Sequence, residues 1–194
     1  MSLYGLNILA QTVRDRRRLL HVVEDLKPKV LVVMDDMGLA AQLRASERMV
    51  IHRAYHPEDA EFHRRLSPRE FADAYLVNVP DGVYVQVLNE PNTYTSAQAN
   101  AQLARWLVDV INLANARGIR VCVANFAVGH PAETFLTAFD PLLAALHHHP
   151  QHVLGVHEYA QISMKAEQSY HIGRFQALLS RCRALHLRPA RIVV

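Results

Sequence analysis

The sequence predicts an α/β fold of parallel strands wrapped by helices, and two observations carry that prediction. Short β-branched apolar runs alternate with longer stretches of helical period along the whole chain. The runs are apolar on both sides of each strand, which implies a sheet covered on both faces. Strands alternating with helices imply βαβ units and parallel pairing. The strand-like runs fall at 3–9, 30–34, 49–52, 83–88, 119–124, 153–157 and 191–194. Candidate helices lie between them at 11–26, 37–46, 68–77, 96–117, 132–147 and 170–187.

Each element has its local reason. The first run is followed by Ala10, Gln11 and Thr12. An open dinucleotide-binding sheet needs a glycine-rich turn there, and a P-loop is absent as well. An incomplete (β/α)8 TIM barrel with about seven strands is therefore the better architecture, and no cofactor is expected. The first helix carries Arg14, Arg16, Arg17 and Arg18. No aromatic residue interleaves with them, so they read as a solvated face rather than a nucleic-acid patch. A long polar loop, 53–66, follows the third run, and long loops in compact domains are often functional. Ser67 caps the third helix, with Pro68 in its first turn and Glu70 completing a capping box. Thr95 or Ser96 caps the fourth helix, and Gly118 sits where a left-handed C-cap is wanted. Trp106 lies inside that helix and reads as core. Cys122 reads as a buried strand residue and Cys182 as a helix residue, both free thiols. His147, His148 and His149 close the fifth helix as a solvated end.

The 194 residues suit a single domain, 1–194. With 51% hydrophobic and 20% charged residues, the composition is that of an ordinary globular protein. The formal charge of +3 is scattered along the chain. No apolar run approaches the ~20 residues of a membrane span, and no basic n-region marks a signal peptide. No membrane or nucleic-acid partner is expected. The compartment stays open. No Cys-x-x-Cys or Cys/His metal spacing occurs, so no metal site is expected.

In a (β/α) barrel the active site lies at the C-terminal ends of the strands. Those ends are rich in polar groups. The second run ends in Asp35-Asp36 and the third in His52-Arg53. The fourth ends in Asn89-Glu90-Pro91-Asn92, the fifth in Asn125-Phe126 and the sixth in His157-Glu158-Tyr159. The opposite ends, with Lys29, Asp81, Arg120 and His152, look like ordinary solvated strand starts.

Asn89-Glu90-Pro91 after the fourth strand resembles the Asn-Glu-Pro motif of the clan A glycoside hydrolases, the TIM-barrel group that includes cellulases and mannanases. His157-Glu158-Tyr159 is similar to the His-x-Tyr that ends strand six in many of them. The resemblance spans the chain in strand order and rests on these two short motifs. It implies Glu90 as general acid/base, Asn89 on the sugar 2-hydroxyl, and His157 and Tyr159 shaping the site. It also implies a carbohydrate substrate, cleaved with retention by two carboxylates. Side chains alternate along a strand, so His157 and Tyr159 share a face and Glu158 points away. Among the softer candidates, Asp35, His52, Arg53 and Asn125 either bind sugar hydroxyls or serve the structure. Tyr55, Tyr94, Phe126 and Tyr159 are the candidate aromatic platforms.

The chemistry explains why such residues are wanted. A glycosidic oxygen leaves poorly unless it is protonated as the bond breaks. A carboxylic acid in an apolar or anionic setting can supply that proton near neutral pH. A second carboxylate ~5–5.5 Å away then acts as nucleophile.

The chain departs from the family pattern at its end. The clan's nucleophile is a Glu ending strand seven, and this chain reads Arg191-Ile192-Val193-Val194. The expected nucleophile would fall just beyond, so the sequence reads as a fragment with impaired activity. An open barrel completed by another chain would account for the same ending, and so would a non-catalytic glycan-binding barrel. A metal-dependent TIM-barrel hydrolase is a further alternative, through His52, His56, His63 and His157. The His-x-His common at strand one of that group is replaced by Asn7-Ile8-Leu9.

Overall fold

The computed structural model describes residues 5–9, 12–44, 48–91, 96–127, 130–157 and 174–193. Seven parallel strands pair in chain order: β1 (Gly5–Leu9), β2 (Val30–Met34), β3 (Met49–Arg53), β4 (Val83–Gln86), β5 (Arg120–Phe126), β6 (Val153–Val156) and β7 (Ile192–Val193). The helices are α1 (Arg16–Leu26), α2 (Met37–Leu43), α3 (Phe62–Arg65), α4 (Pro68–Tyr75), α5 (Ala97–Ala116), α6 (Asp140–His148) and α7 (Arg174–Ala184). The sheet curls, because residues from all seven strands line one interior cavity of about 400 Å³. The chain is thus an incomplete (β/α) barrel, as the alternation of elements predicts.

Register sorts the strand side chains into two faces. Ile8, Val33, His52 and Val85 are partners across β1 to β4. Ile8, Val33 and Val85 belong to the large clusters packed under the helices, so this row faces outward. The alternate row runs Asn7, Val32, Ile51 and Tyr84. Ile51 and Tyr84 join Cys122 and Val153 in a separate inner cluster. Burial on both faces is what strands of continuous apolar character require.

The caps follow the sequence signals. Ser67 and Glu70 form a full capping box on α4. Ser96 caps α5 by accepting from the Ala99 amide. At the other end of α5, Gly118 adopts φ +68°. Gly118 N–H bonds to Asn115 and Ile119 N–H to Ala114, the paired bonds of a Schellman motif. Trp106 is core, as expected, with its indole N–H on the Leu66 carbonyl and its ring edge-on to Phe71.

Other elements differ from their expected bounds. The first half of the expected helix 132–147 is a 3-10 segment, Glu133–Phe139. Pro141 has no N–H to continue an α ladder, so α6 starts afresh at Asp140. The loop 53–66 contains a short 3-10 turn and α3, anchored by the buried Phe62.

His152 precedes β6 and is 1% exposed, so it is not the solvated strand start that its position suggests. Its Nδ1 accepts the Val121 amide hydrogen at 3.2 Å, which requires a neutral ring. Burial, helped by His149 and Arg120, pushes its pKa down to about 4. The unfolded chain binds a proton near pH 6.5 that the folded ring refuses until about pH 4. Stability is therefore fully present above pH 6.5 and falls on acidification through that window, by up to ~3 kcal/mol. Urea denaturation midpoints between pH 7 and pH 4 should show this decline. His152→Asn, which keeps an acceptor but cannot charge, should flatten it.

Candidate active site

The end of β4 carries the central group. Past Gln86 the β4 chain still pairs with β5, since Val87 N–H bonds to the Cys122 carbonyl. The backbone then turns, and Glu90 takes φ +49°. Its N–H bonds to the Asn125 carbonyl at 3.0 Å. This brings the Glu90 carboxylate to the end of β6, where Oε1 lies 2.8 Å from His157 Nδ1. Both side chains are about a third exposed, at 33% and 30%. His157 is itself fixed by its N–H on the Phe126 carbonyl at 2.7 Å, and it lines the interior cavity.

A carboxyl and an imidazole at this distance share one proton. Either protonated Glu90 donates to a neutral His157 Nδ1, or Nδ1–H donates to the carboxylate. Through His157, which lines the cavity, the pair can give a proton to a bound oxygen and take one back, which is the requirement for general acid–base chemistry.

Asn125 governs the position of both groups. It sits in a β-bulge, since three steps from Val123 to Phe126 oppose two from Leu154 to Val156. Ala124 and Asn125 both adopt left-handed backbone, at φ +70° and +45°. The folded-back Asn125 side chain donates Nδ2 to the Leu88 carbonyl at 2.8 Å and to the Cys122 carbonyl at 3.3 Å. Its Oδ1 accepts from the Cys122 thiol at 3.3 Å. Burial pushes that thiol up to about 12, so it remains a neutral donor. The amide of Asn125 is engaged with the backbone, and the residue also lines the interior cavity. Gly155 provides the room: a Cβ there would lie 2.0 Å from Asn125 Oδ1.

The other expected site residues scatter. Asn89 is half-buried, and its Oδ1 accepts from Gln86 Nε2 at 3.2 Å. Arg53 faces inward and lines the cavity. Asp35 is exposed at the end of β2, with φ +60°. Its Oδ1 accepts from the Tyr55 amide at 2.6 Å, so it braces the rim. His52 is in the outward row, 8% exposed, and lines a pocket with Phe62, Phe71 and Tyr75. Burial lowers its pKa against the opposing pull of Asp35 and Asp36. A role in the interior cavity does not fit that side of β3. Phe126 is not a platform either: it is fully buried and packs edge-on against Phe139 on the helix side. Tyr159 and Tyr94 lie outside the described residues.

Sequence reasoning missed Gln86 and Gly155. Gln86 had a signal, a polar residue inside the apolar run 83–88 on the same face as Tyr84. Gly155 had none without the bulge opposite it. Among the described residues, no group of three or more His, Cys, Asp or Glu side chains is placed to hold a metal ion.

No protein-family model matches the chain. No curated protein matches it either. Among solved structures, it is similar to the cellulose synthase subunit Z from Clostridioides difficile, at 12% identity and a TM-score of 0.44. The similarity covers 100% of this chain and 92% of that one. Likeness at this level identifies neither a family nor an activity.

Gly155→Ala should force Asn125 off its carbonyls or push β5 from β6, costing ~1–3 kcal/mol. In an Asn125→Ala background the same change should cost markedly less, because the clash is with the side chain removed. A double-mutant cycle by urea denaturation measures that coupling.

Proposed function

We propose that the chain is a glycoside hydrolase-like barrel domain in which Glu90 is the proton donor to a departing glycosidic oxygen. The single observation that supports this best is the contact between Glu90 and His157 across 67 residues of sequence, at the edge of an interior cavity. One residue from each of the two motifs that suggested a sugar-cleaving site meets the other in space. On this reading His157 holds the Glu90 carboxyl in place, and Glu90 recovers its proton from the attacking water in the second half of the reaction. Asn89, oriented by Gln86, meets the sugar 2-hydroxyl, and Arg53 reaches a hydroxyl from the facing wall. Asp35 completes the rim, and Tyr159 is a further candidate contact.

The cavity of about 400 Å³ lies within the range of small-ligand sites and suits one or two sugar rings. A retaining reaction needs a second carboxylate ~5–5.5 Å from the first. Without one, the same mouth would bind saccharides and not cut them, and this is the second reading. A metal-dependent hydrolase is supported by no convergent ligand set among the described residues.

The two readings separate on one series of measurements. Aryl β-glycosides and soluble β-linked oligosaccharides are assayed for binding and turnover with the unmodified chain, Glu90→Gln and His157→Ala. Proton donation predicts that Glu90→Gln loses ~10²–10⁴-fold in turnover on oligosaccharides. The loss should be much smaller on dinitrophenyl glycosides, whose leaving group needs no proton. Binding without turnover in all three proteins would select the non-catalytic reading. Turnover equal in Glu90→Gln and the unmodified chain, or no saccharide binding at all, would defeat both.

A further inference from the structure

A second, larger cavity is at the other end of the barrel. It measures about 790 Å³ and is formed around the starts of the strands. Among the described residues, its charged lining consists of Lys29, Arg44, Arg48, Arg120 and Arg191 against one carboxylate, Asp81. Five cations around one recess repel one another. Such an arrangement is stable when each is held by other contacts or when an anion occupies the space between them.

The four arginines are held in different ways. Arg48 is largely buried and donates to Glu24 and to the Leu43 carbonyl. Arg44 donates to the Asp81 backbone carbonyl, which leaves its charge uncompensated by that bond. Arg120 and Arg191 both meet one ring. The Arg120 guanidinium lies 5.8 Å from the centre of the Tyr84 ring, and Arg191 Nη1 donates to the Tyr84 hydroxyl at 3.3 Å. Tyr84 is 4% exposed and belongs to the inner cluster, so it is a rigid floor. One tyrosine thus orients two guanidinium groups while neutralising neither.

We propose that this recess binds a small anionic ligand carrying phosphate groups, with Arg120 and Arg191 as its principal contacts. A planar guanidinium fork matches two oxygens of a phosphate, and paired forks match a diphosphate. The volume admits a ligand of that size up to a nucleotide. The site is a recess at the end of a barrel, not a stripe along a surface, which favours a small ligand over a nucleic-acid strand. It stands at the opposite ends of the strands from Glu90 and does not depend on what Glu90 does.

The test is calorimetric titration of the full chain with inorganic tripolyphosphate at low salt. Saturable binding is expected, weakening as salt rises. Arg120→Ala/Arg191→Ala should weaken it at least ~10-fold. Arg69→Ala/Arg105→Ala removes the same charge from exposed helix positions and should leave it within about twofold. If the alanine pair does not fold, Arg120→Lys/Arg191→Lys keeps the charge but loses the fork, and should still weaken binding severalfold. The proposal is overturned by absence of saturable binding up to about 1 mM. It is equally overturned if both alanine pairs weaken binding alike, or if polynucleotides bind while tripolyphosphate does not.

Discussion

The geometry of the candidate site rests on a single buried amide. Asn125 reaches across from β5 to the Leu88 carbonyl, which is the last backbone acceptor before Asn89 and Glu90. Its own carbonyl receives the Glu90 amide, and the neighbouring Phe126 carbonyl receives the His157 amide. The two members of the proton-sharing pair are thus both referenced to consecutive residues of one bulge. A buried polar side chain is costly unless satisfied. Here every polar atom of the Asn125 amide has a partner, so the side chain over-determines the local backbone instead of straining it. Gly155 is the necessary concession on the neighbouring strand.

The two ends of the barrel are built on different electrostatic principles. At the C-terminal end, carboxylates and histidines occur as pairs or as rim braces, as in Glu90 with His157 and Asp35 with the Tyr55 amide. At the N-terminal end, the cavity-lining charge is almost wholly basic. Tyr84 and Gln86 lie two residues apart on the same inward face of β4, and they serve opposite ends. The tyrosine orients Arg120 and Arg191, and the glutamine orients Asn89. A central strand of four residues, Val83–Gln86, therefore passes structural information to both mouths.

The strand order, the parallel pairing and the cap residues were legible because each leaves a local signature. Apolar runs, Ser67 with Glu70, and Gly118 are all readable without knowing what lies across space. The meeting of Glu90 with His157 was legible only as two motifs, each tied to a strand end. Which face a residue takes was less so. His52 and Arg53 are neighbours in sequence, yet one packs outward among Phe62 and Phe71 while the other lines the cavity. A period of two makes that outcome turn on a one-residue register, which the run 49–52 does not reveal. The bulge at Ala124-Asn125 was hidden for the same reason, and Gly155 with it. Lys29, Arg120 and Arg191 resemble any solvated strand start, because only the curl of the sheet gathers them.

The left-handed residues give this division an energetic meaning. Lys27 and His186 adopt positive φ at helix ends, where such backbone is routine. Asp35, Glu90, Ala124 and Asn125 adopt it at the strand ends of the C-terminal mouth. Left-handed backbone costs a residue with a Cβ ~1–2 kcal/mol, with Asn and Asp least penalised. Ala124 and Glu90 have no such relief. What offsets the cost is the bonding around them: Asp35 N–H to Arg53, Glu90 N–H to Asn125, and the Asn125 side chain to two carbonyls. Strain held in place by a surplus of hydrogen bonds gathers where a side chain must point in one direction. A continuing β4 would carry residue 90 along the strand axis and out past the rim. The left-handed turn instead swings its carboxylate sideways over β5 to the ring at the end of β6, and the left-handed Ala124 and Asn125 hold the strand that this contact crosses.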